Sequence, residues 1–172
     1  INVLKALVIP VLTYGGELWG MQVDRAVKPQ RVLNEALRIL TRLRSRSHLT
    51  SSATLGVEYG IPPISAMVAA SRMRAYRKFP HLRTMISDLM ATPFKSQKNT
   101  WVSGTTLWVH RFCRTASTVM EPNIVAELVK TYMWERCNTS AKSKSYKFYL
   151  DYGFIRTNKF LDLDRKSTRL NS

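Results

Sequence analysis

Apolar residues recur at helical spacing through most of this chain, and this feature limits its fold most strongly. Between residues 3 and 19 they follow one another mainly three or four positions apart, and the spacing returns after Asp24, Pro63 and Glu121. That period matches the turn of an α-helix and differs from the two-residue alternation of a half-buried strand. The sequence therefore predicts an all-α fold, a bundle of several short amphipathic helices followed by a second, looser helical segment.

Prolines, glycines and polar runs divide the pattern into predicted elements. One helix is expected over residues 2–20 with a kink at Pro10, because proline removes an amide donor. A second is expected over 23–47, with Asp24 as its N-cap and Pro29 in its first turn. Further helices are expected over 51–58 and from Pro63 to the residues before Pro80. We predict a bundle over 1–91, a linker over 92–100 and a helical segment over 101–163.

The chain is strongly basic, and this predicts an anionic partner. Among its 172 residues, 27 Lys and Arg oppose 11 Asp and Glu, which gives a formal charge of +16. Nucleic acid is favoured over an acidic protein or membrane surface because the charge is mostly arginine on predicted helices with aromatic residues between. Because no Cys-x-x-Cys pair exists, Cys113 and Cys137 are expected to be reduced core thiols, and the protein is expected to be intracellular, in the nucleus or cytoplasm.

Two segments concentrate the predicted contacts with nucleic acid. On the second helix, steps of seven and eleven residues place two further arginines each within about 20° of Arg31, opposite the apolar face. Near the end of the helix that follows Pro63, basic residues surround a tyrosine whose ring could stack on a base. A solvated helix surface remains the alternative for both segments. The predicted contact residues are Arg31, Arg38, Arg42, Arg44, Arg46, Arg72, Arg74, Tyr76, Arg77 and Lys78.

The stretch "YGGELWG" (14–20) is unusual in the first predicted helix, because each glycine in a helix interior costs about 1 kcal/mol relative to alanine. Close approach of another backbone would offset that cost for Gly15 and Gly16. Tyr14 and Trp19 are expected to supply large apolar contacts. Glu17 is expected either to be buried beside an arginine, with Arg38 or Arg72 as first candidates, or to face solvent.

Motifs for catalysis are missing from the sequence. It has no Asp-Asp pair for magnesium, no phosphate-binding Gly-x-x-x-x-Gly-Lys loop, no nucleophile elbow and no His-Glu-x-x-His. The three histidines and two cysteines do not form a zinc spacing. We therefore expect no catalytic residue, metal or cofactor in this chain, and an enzyme is the weakest interpretation.

Both ends of the sequence lead us to expect a piece of a longer protein. It begins at Ile1 inside a helical pattern, without methionine. Its last nine residues, "DRKSTRLNS" (164–172), correspond to a sequencing-library adapter translated in one frame, and we interpret them as non-native. They contribute +2, so the formal charge without them is +16 − 2 = +14, and the chain remains basic.

The run "VIPVLTYGGELWG" (8–20) resembles the segment that follows the palm in reverse transcriptases of non-LTR (LINE-type) retrotransposons. Downstream, "LNEALRIL", "LGVEYGIPPI" and "ASRMRAYRKF" are similar to successive elements of the thumb in that family. The likeness is good over residues 1–80 and weaker to 163. The motif positions that carry its first element are Pro10, Tyr14, Gly15, Glu17 and Trp19.

This resemblance implies a non-catalytic, thumb-like part of an RNA-directed DNA polymerase that grips a template–primer duplex. The implied partners are an RNA template, a DNA primer strand, and the palm and fingers of the same polypeptide, with no membrane. Magnesium would belong to the palm of the parent protein and to none of the residues here. A basic helical module that binds an acidic protein or membrane surface remains the alternative.

Overall fold

The chain is all-α in a computed structural model, which describes residues 1–41, 52–92, 100–112 and 121–140. The α-helices are α1 (Ile9–Leu12), α2 (Gly16–Trp19), α3 (Val23–Leu40), α4 (Ser52–Glu58), α5 (Ile64–Lys78), α6 (Met85–Ala91), α7 (Trp101–Phe112) and α8 (Pro122–Ser140). A π-helical turn, Leu4–Val8, precedes α1, and a 3₁₀ turn, Phe79–His81, follows α5. The described residues contain no strand, so the predicted fold class is confirmed.

The single helix predicted over residues 2–20 is wrong, because the chain turns between α1 and α2. Gly15 has φ +66°, in the left-handed region that side chains other than glycine rarely adopt. The π-helical turn ends immediately before α1, where the amide of Ile9 bonds to the carbonyl of Leu4. Such turns accompany local disruption of the α-helical hydrogen bonds. Pro10 has no backbone N–H to donate to these hydrogen bonds.

Two compact units divide the chain, and they do not follow the predicted division at residues 92–100. One comprises the described parts of 1–12, 28–64 and 134–172, and the other those of 13–27 and 65–133. Helix α7 therefore belongs to the same unit as the larger part of α5. Most of the predicted linker lies outside the described residues.

In the first unit, the core includes Leu33 and Leu37 of α3, Leu55 of α4 and the chain around Ile61. The side chain of Gln30 accepts a hydrogen bond from the amide of Ile64 at 2.7 Å. This bond satisfies one of the amides that a helix start leaves without a partner, so α3 positions the first residue of α5. Helix α3 begins at Val23, which places Pro29 inside the helix and not in its first turn.

The buried face of α3 is narrower than the sequence predicts. Leu33 and Leu37 are each 1% exposed, whereas three other residues on the apolar side of α3 by helical spacing are exposed: Val32, Ile39 and Leu40. The strip that this helix buries is therefore narrower than its apolar face. Position on the helix decides which apolar side chains the neighbours cover.

In the second unit, the most deeply buried part of α5 consists of small and medium side chains. Ala66, Val68, Ala69 and Met73 are at most 1% exposed, and Val125 and Val129 of α8 are buried to the same degree. Small side chains allow close approach of neighbouring backbones. Helix α5 therefore lies at the centre of this unit, and the candidate site is built on it.

Candidate nucleic-acid interface

Helix α5 carries basic residues on two opposite faces. With about 100° per residue, Arg72 lies about 40° from the buried Val68, whereas Arg74 lies about 200° from Arg72. Lys78 falls about 40° from Arg74 on the outer face. In agreement with these angles, Arg72 is buried, and Arg74 and Lys78 are exposed. The same residue type therefore occupies two different environments within one turn of helix.

Arg72 is a buried structural residue, and its burial argues against the predicted contact with nucleic acid. It is 5% exposed. Its Nη1 donates to the carbonyl of Gly20 at 2.7 Å, its Nε to Oγ1 of Thr105 at 2.9 Å, and its Nη2 to the carbonyl of Trp101 at 3.0 Å. The guanidinium also lies 5.4 Å from the centre of the Trp101 ring. Arg72 thus joins α5 to the end of α2 and to the first turn of α7.

The acceptors around Arg72 are neutral oxygens, and this determines its electrostatics. Burial, and to a smaller extent the charge of Arg25, lower the pKa of Arg72 from its ordinary value. The charged form is therefore penalised in the folded protein at neutral pH, and this penalty would decline only as the pH rose through the lowered pKa. The three hydrogen bonds and the ring contact offset the cost of burying the charge.

Trp101 is the second centre of this cluster. Its Nε1 donates to the carbonyl of Glu17 at 2.8 Å, which ties α7 to α2. Its ring stacks against Phe79 with centroids 5.9 Å apart and lies at a tilt to Tyr76 at 6.0 Å. The indole therefore combines apolar contacts with a satisfied donor, as buried tryptophans require.

Gly16 in α2 and Gly20 immediately after it allow α5 to come close. A Cβ on Gly16 would lie 3.0 Å from Cγ1 and 3.3 Å from Cα of Val68. A Cβ on Gly20 would lie 2.1 Å from the carbonyl oxygen of Val68, which no side chain can occupy. The predicted close approach is confirmed at Gly16. At Gly15, glycine is required for a different reason, because the backbone there has a positive φ. The constraint is strongest at Gly20, for which no close approach was predicted.

The remaining motif residues are less buried than expected. Tyr14 is 87% exposed, so the predicted large apolar contact is wrong there. Trp19 is half-buried and donates from Nε1 to the carbonyl of Tyr14 at 3.0 Å. Pro10 is exposed in α1.

Glu17 does not pair with Arg72, since each guanidinium nitrogen of that arginine donates to a neutral oxygen. The Glu17 side chain is half-buried, and its carboxylate has no hydrogen bond or ion pair with any residue that the structure describes. The role of Glu17 in this unit comes from its main-chain carbonyl. The predicted carboxylate–arginine pair with Arg72 is therefore wrong.

The outer face of α5 keeps its charge unneutralised. Arg74 and Lys78 are exposed, and neither forms an ion pair with a carboxylate in the described part of the chain. Side chains four positions apart on a helix are neighbours, and like charges at that spacing repel. An anion bound between them would remove this repulsion. We call this pair, Arg74 and Lys78, the α5 basic pair.

Tyr76 and Arg77 lie beside the α5 basic pair and are both half-buried. The hydroxyl groups of Tyr76 and Thr106 share a hydrogen bond of 2.8 Å. This bond, with the Trp101 contact, fixes the tyrosine ring. Tyr76 is therefore a rigid wall of the site, and only part of its ring is accessible.

The arginines predicted on the second helix are only partly described. Arg31 is exposed on α3, whereas Arg38 is half-buried and engaged in contacts. Arg31 has no ion pair with Glu35 one turn away. The predicted residues Arg42, Arg44 and Arg46 lie outside the described residues. The described part of this predicted face is thus one exposed arginine followed by a partly covered one.

Within residues 1–41, 52–92, 100–112 and 121–140, no group of three or more His, Cys, Asp or Glu side chains could hold a metal ion. Across the same residues, none of the helices has the length and apolar character that a membrane crossing needs.

Helical spacing in the sequence carries a signal for the buried arginine. Arg72 lies four residues after Val68 and eight after Ile64, both on the apolar face of the predicted helix, and that spacing places it on the same face. Thr105 and Trp101 carry no comparable signal. Their contact with Arg72 spans about thirty positions and depends on packing.

Comparisons of this chain with protein-family models, with curated proteins and with solved structures find no match. The site is therefore interpreted from its own geometry and charge.

Proposed function

We propose that this chain grips nucleic acid through phosphate contacts and has no catalytic role of its own. The observation that carries the proposal is the α5 basic pair, two exposed cations one turn apart without ion pairs to described carboxylates. Arginine and lysine in this setting attract phosphates without reading sequence. The net charge of +16 acts in the same direction by steering a polyanion to the surface.

The buried cluster supports this role by holding the basic pair in place. Arg72 bonds α5 to the carbonyls of Gly20 and Trp101, and Trp101 bonds in turn to the carbonyl of Glu17, so the helix that carries Arg74 and Lys78 is tied to both α2 and α7. A rigid arrangement reduces the entropy lost when a ligand binds. The inner arginine thus serves the fold, and the outer cations serve binding.

The particular nucleic acid is proposed from the resemblance of residues 8–20 and the later segments. On that basis the chain is part of the thumb region of a non-LTR retrotransposon reverse transcriptase, and it holds the duplex of RNA template and DNA primer. The palm and fingers of the same polypeptide would supply polymerisation and its magnesium.

The proposal is tested by measuring binding of the whole chain to a fluorescein-labelled RNA–DNA hybrid over a series of salt concentrations. The double variant Arg74→Gln, Lys78→Gln should lower the slope of log affinity against log salt by roughly 1.8, since each lost phosphate contact accounts for about 0.9. Fluorescence anisotropy gives both affinity and slope.

A matched double variant, Lys5→Gln, Lys130→Gln, makes the same change in net charge away from the α5 basic pair and should lower the slope by much less. Equal losses in the two doubles would mean that diffuse charge, and not this pair, binds the duplex. Binding to anionic vesicles or to polyglutamate, with none to the hybrid at 150 mM salt, would replace the proposal with the acidic-partner alternative.

A further inference from the structure

A cavity of about 280 Å³ opens beside the half of α5 that carries the basic pair. Its walls come from the end of α5, the following 3₁₀ turn, α6 and α7. The residues that matter for its chemistry are Tyr76, Arg77, His81, Ser87, Met90 and Val102. Its volume falls just below the range of roughly 300–1,000 Å³ that is typical of sites for drug-sized ligands. The cavity therefore suits a single ring system better than an extended ligand.

The walls offer the contacts that a flat, polar ring requires. The Tyr76 ring and the Arg77 side chain provide the two kinds of surface on which bases stack in single-stranded complexes. Met90 and Val102 add apolar contact. Ser87 donates to the carbonyl of Thr84 at 2.6 Å, and its oxygen retains the capacity to accept a hydrogen bond from a ring substituent.

The wall formed by Tyr76 is already ordered before any ligand arrives. Its hydroxyl bonds to that of Thr106, and its ring lies against Trp101, which is itself stacked on Phe79. Binding against such a surface loses little side-chain entropy. This feature favours a stacked ligand over one that needs the site to rearrange.

The charge around the cavity selects an anionic ligand. Arg77 lines it, the α5 basic pair lies on the same helix end, and Arg83 is exposed just beyond the 3₁₀ turn. Asp88, exposed on α6, is the acid nearest in sequence. A ring in the cavity attached to a phosphate outside it would match this distribution.

We propose that this cavity receives one unpaired nucleobase of a single-stranded segment, while the α5 basic pair holds the adjoining phosphates. The inference rests on the proposed function, and it adds a preference for single-stranded nucleic acid that phosphate contacts alone do not provide. A base in a continuous duplex is stacked and paired, and so it cannot enter.

The test places an aromatic ring at the rim of the cavity so that a base can no longer enter. Ala91 lines the cavity and is exposed on α6, so Ala91→Phe adds a ring there without entering the core. The whole chain is titrated with a 15-nucleotide single strand that carries 2-aminopurine at its centre, and with a blunt duplex of the same length. Ala91→Phe should weaken single-strand binding about tenfold, as expected for one lost base stack. Duplex affinity should stay within twofold, and the change in 2-aminopurine emission on binding should disappear.

Leu89→Phe is the matched control, because it places the same ring at an exposed position of the same helix that does not line the cavity. It should leave both affinities and the emission unchanged. Equal losses on single strand and duplex, no loss with Ala91→Phe, or the same loss with Leu89→Phe would each overturn the proposal. If the wild-type chain binds the duplex but not the single strand, the proposal that the cavity receives a base is wrong, and the proposed function stands. Binding of neither would refute both.

Discussion

The inner and outer faces of α5 use the same kind of residue for opposite purposes. On the inner face, Arg72 is 5% exposed, and its guanidinium nitrogens donate to Gly20, Thr105 and Trp101. On the outer face, Arg74 is exposed and has no ion pair with a described carboxylate. The comparison teaches that a count of arginines overstates a binding surface, because burial can direct one of them into the fold.

The inner face should be most sensitive where backbones touch. Gly20→Ala would place a Cβ 2.1 Å from the carbonyl oxygen of Val68, so α2 or α5 must shift. Since this contact is with backbone and cannot relax by a rotamer change, we expect unfolding free energy to fall by about 3 to 4 kcal/mol. Urea denaturation followed by circular dichroism measures the change.

Gly104→Ala is the control for that prediction. Its Cβ would be 3.7 Å from Nη2 of Arg72, an ordinary contact, and it lies inside α7. Alanine should therefore raise stability by roughly 0.5 to 1 kcal/mol through helix propensity. If both substitutions moved the urea midpoint alike, close approach at Gly20 would not be the cause.

One substitution on each face tests the difference between the inner and outer faces of α5 most directly. Arg72→Met keeps much of the side-chain volume but leaves the Gly20 carbonyl without its guanidinium donor, so we expect a loss of about 2 to 3 kcal/mol. Arg74→Met, two residues along on the exposed face, should change stability by no more than about 0.5 kcal/mol.

For nucleic-acid binding, the order of the two effects should be reversed, with the larger loss in the variant on the outer face. Measured at a temperature where both are folded, Arg74→Met should weaken hybrid binding and Arg72→Met should not. A stable Arg72→Met variant with impaired binding would show that the inner arginine reaches the ligand, and the division between faces would fail.

The smallest expected effect concerns the boundary between the faces. Tyr76→Phe removes the hydroxyl that bonds to Thr106 and keeps the ring, so stability should fall by about 1 kcal/mol. Thermal unfolding of Tyr76→Phe beside Thr106→Val and the double variant gives the coupling. Additive single losses would mean that the bond does not hold the ring in place.

Helical periodicity predicted much of the fold because each helix satisfies its own backbone hydrogen bonds locally. The helices expected over 51–58 and after Pro63 agree with α4 and α5. The prediction of one continuous helix over residues 2–20 was wrong because apolar spacing does not distinguish a glycine in the left-handed conformation from a glycine inside a helix. Exposed apolar residues such as Val32 and Ile39 show that periodicity identifies a face without showing how much of it neighbours cover.

The candidate site was predicted only in part. Arg74 and Lys78 were among the basic residues predicted to contact nucleic acid, and both are exposed. The same composition suggested Arg72 as a phosphate contact, whereas the structure uses it to join helices. The cavity beside α5 had no sequence signal, because its walls come from residues spread between Tyr76 and Val102.

The sequence by itself determined that this chain is helical and basic, since helix formation follows local periodicity and net charge is a sum over residues. The tertiary structure alone decided which groups the buried arginine bonds to, which glycine admits a neighbouring backbone and where a cavity remains. Those outcomes depend on contacts between residues far apart in the chain, where a shift of one ångström separates a hydrogen bond from a clash.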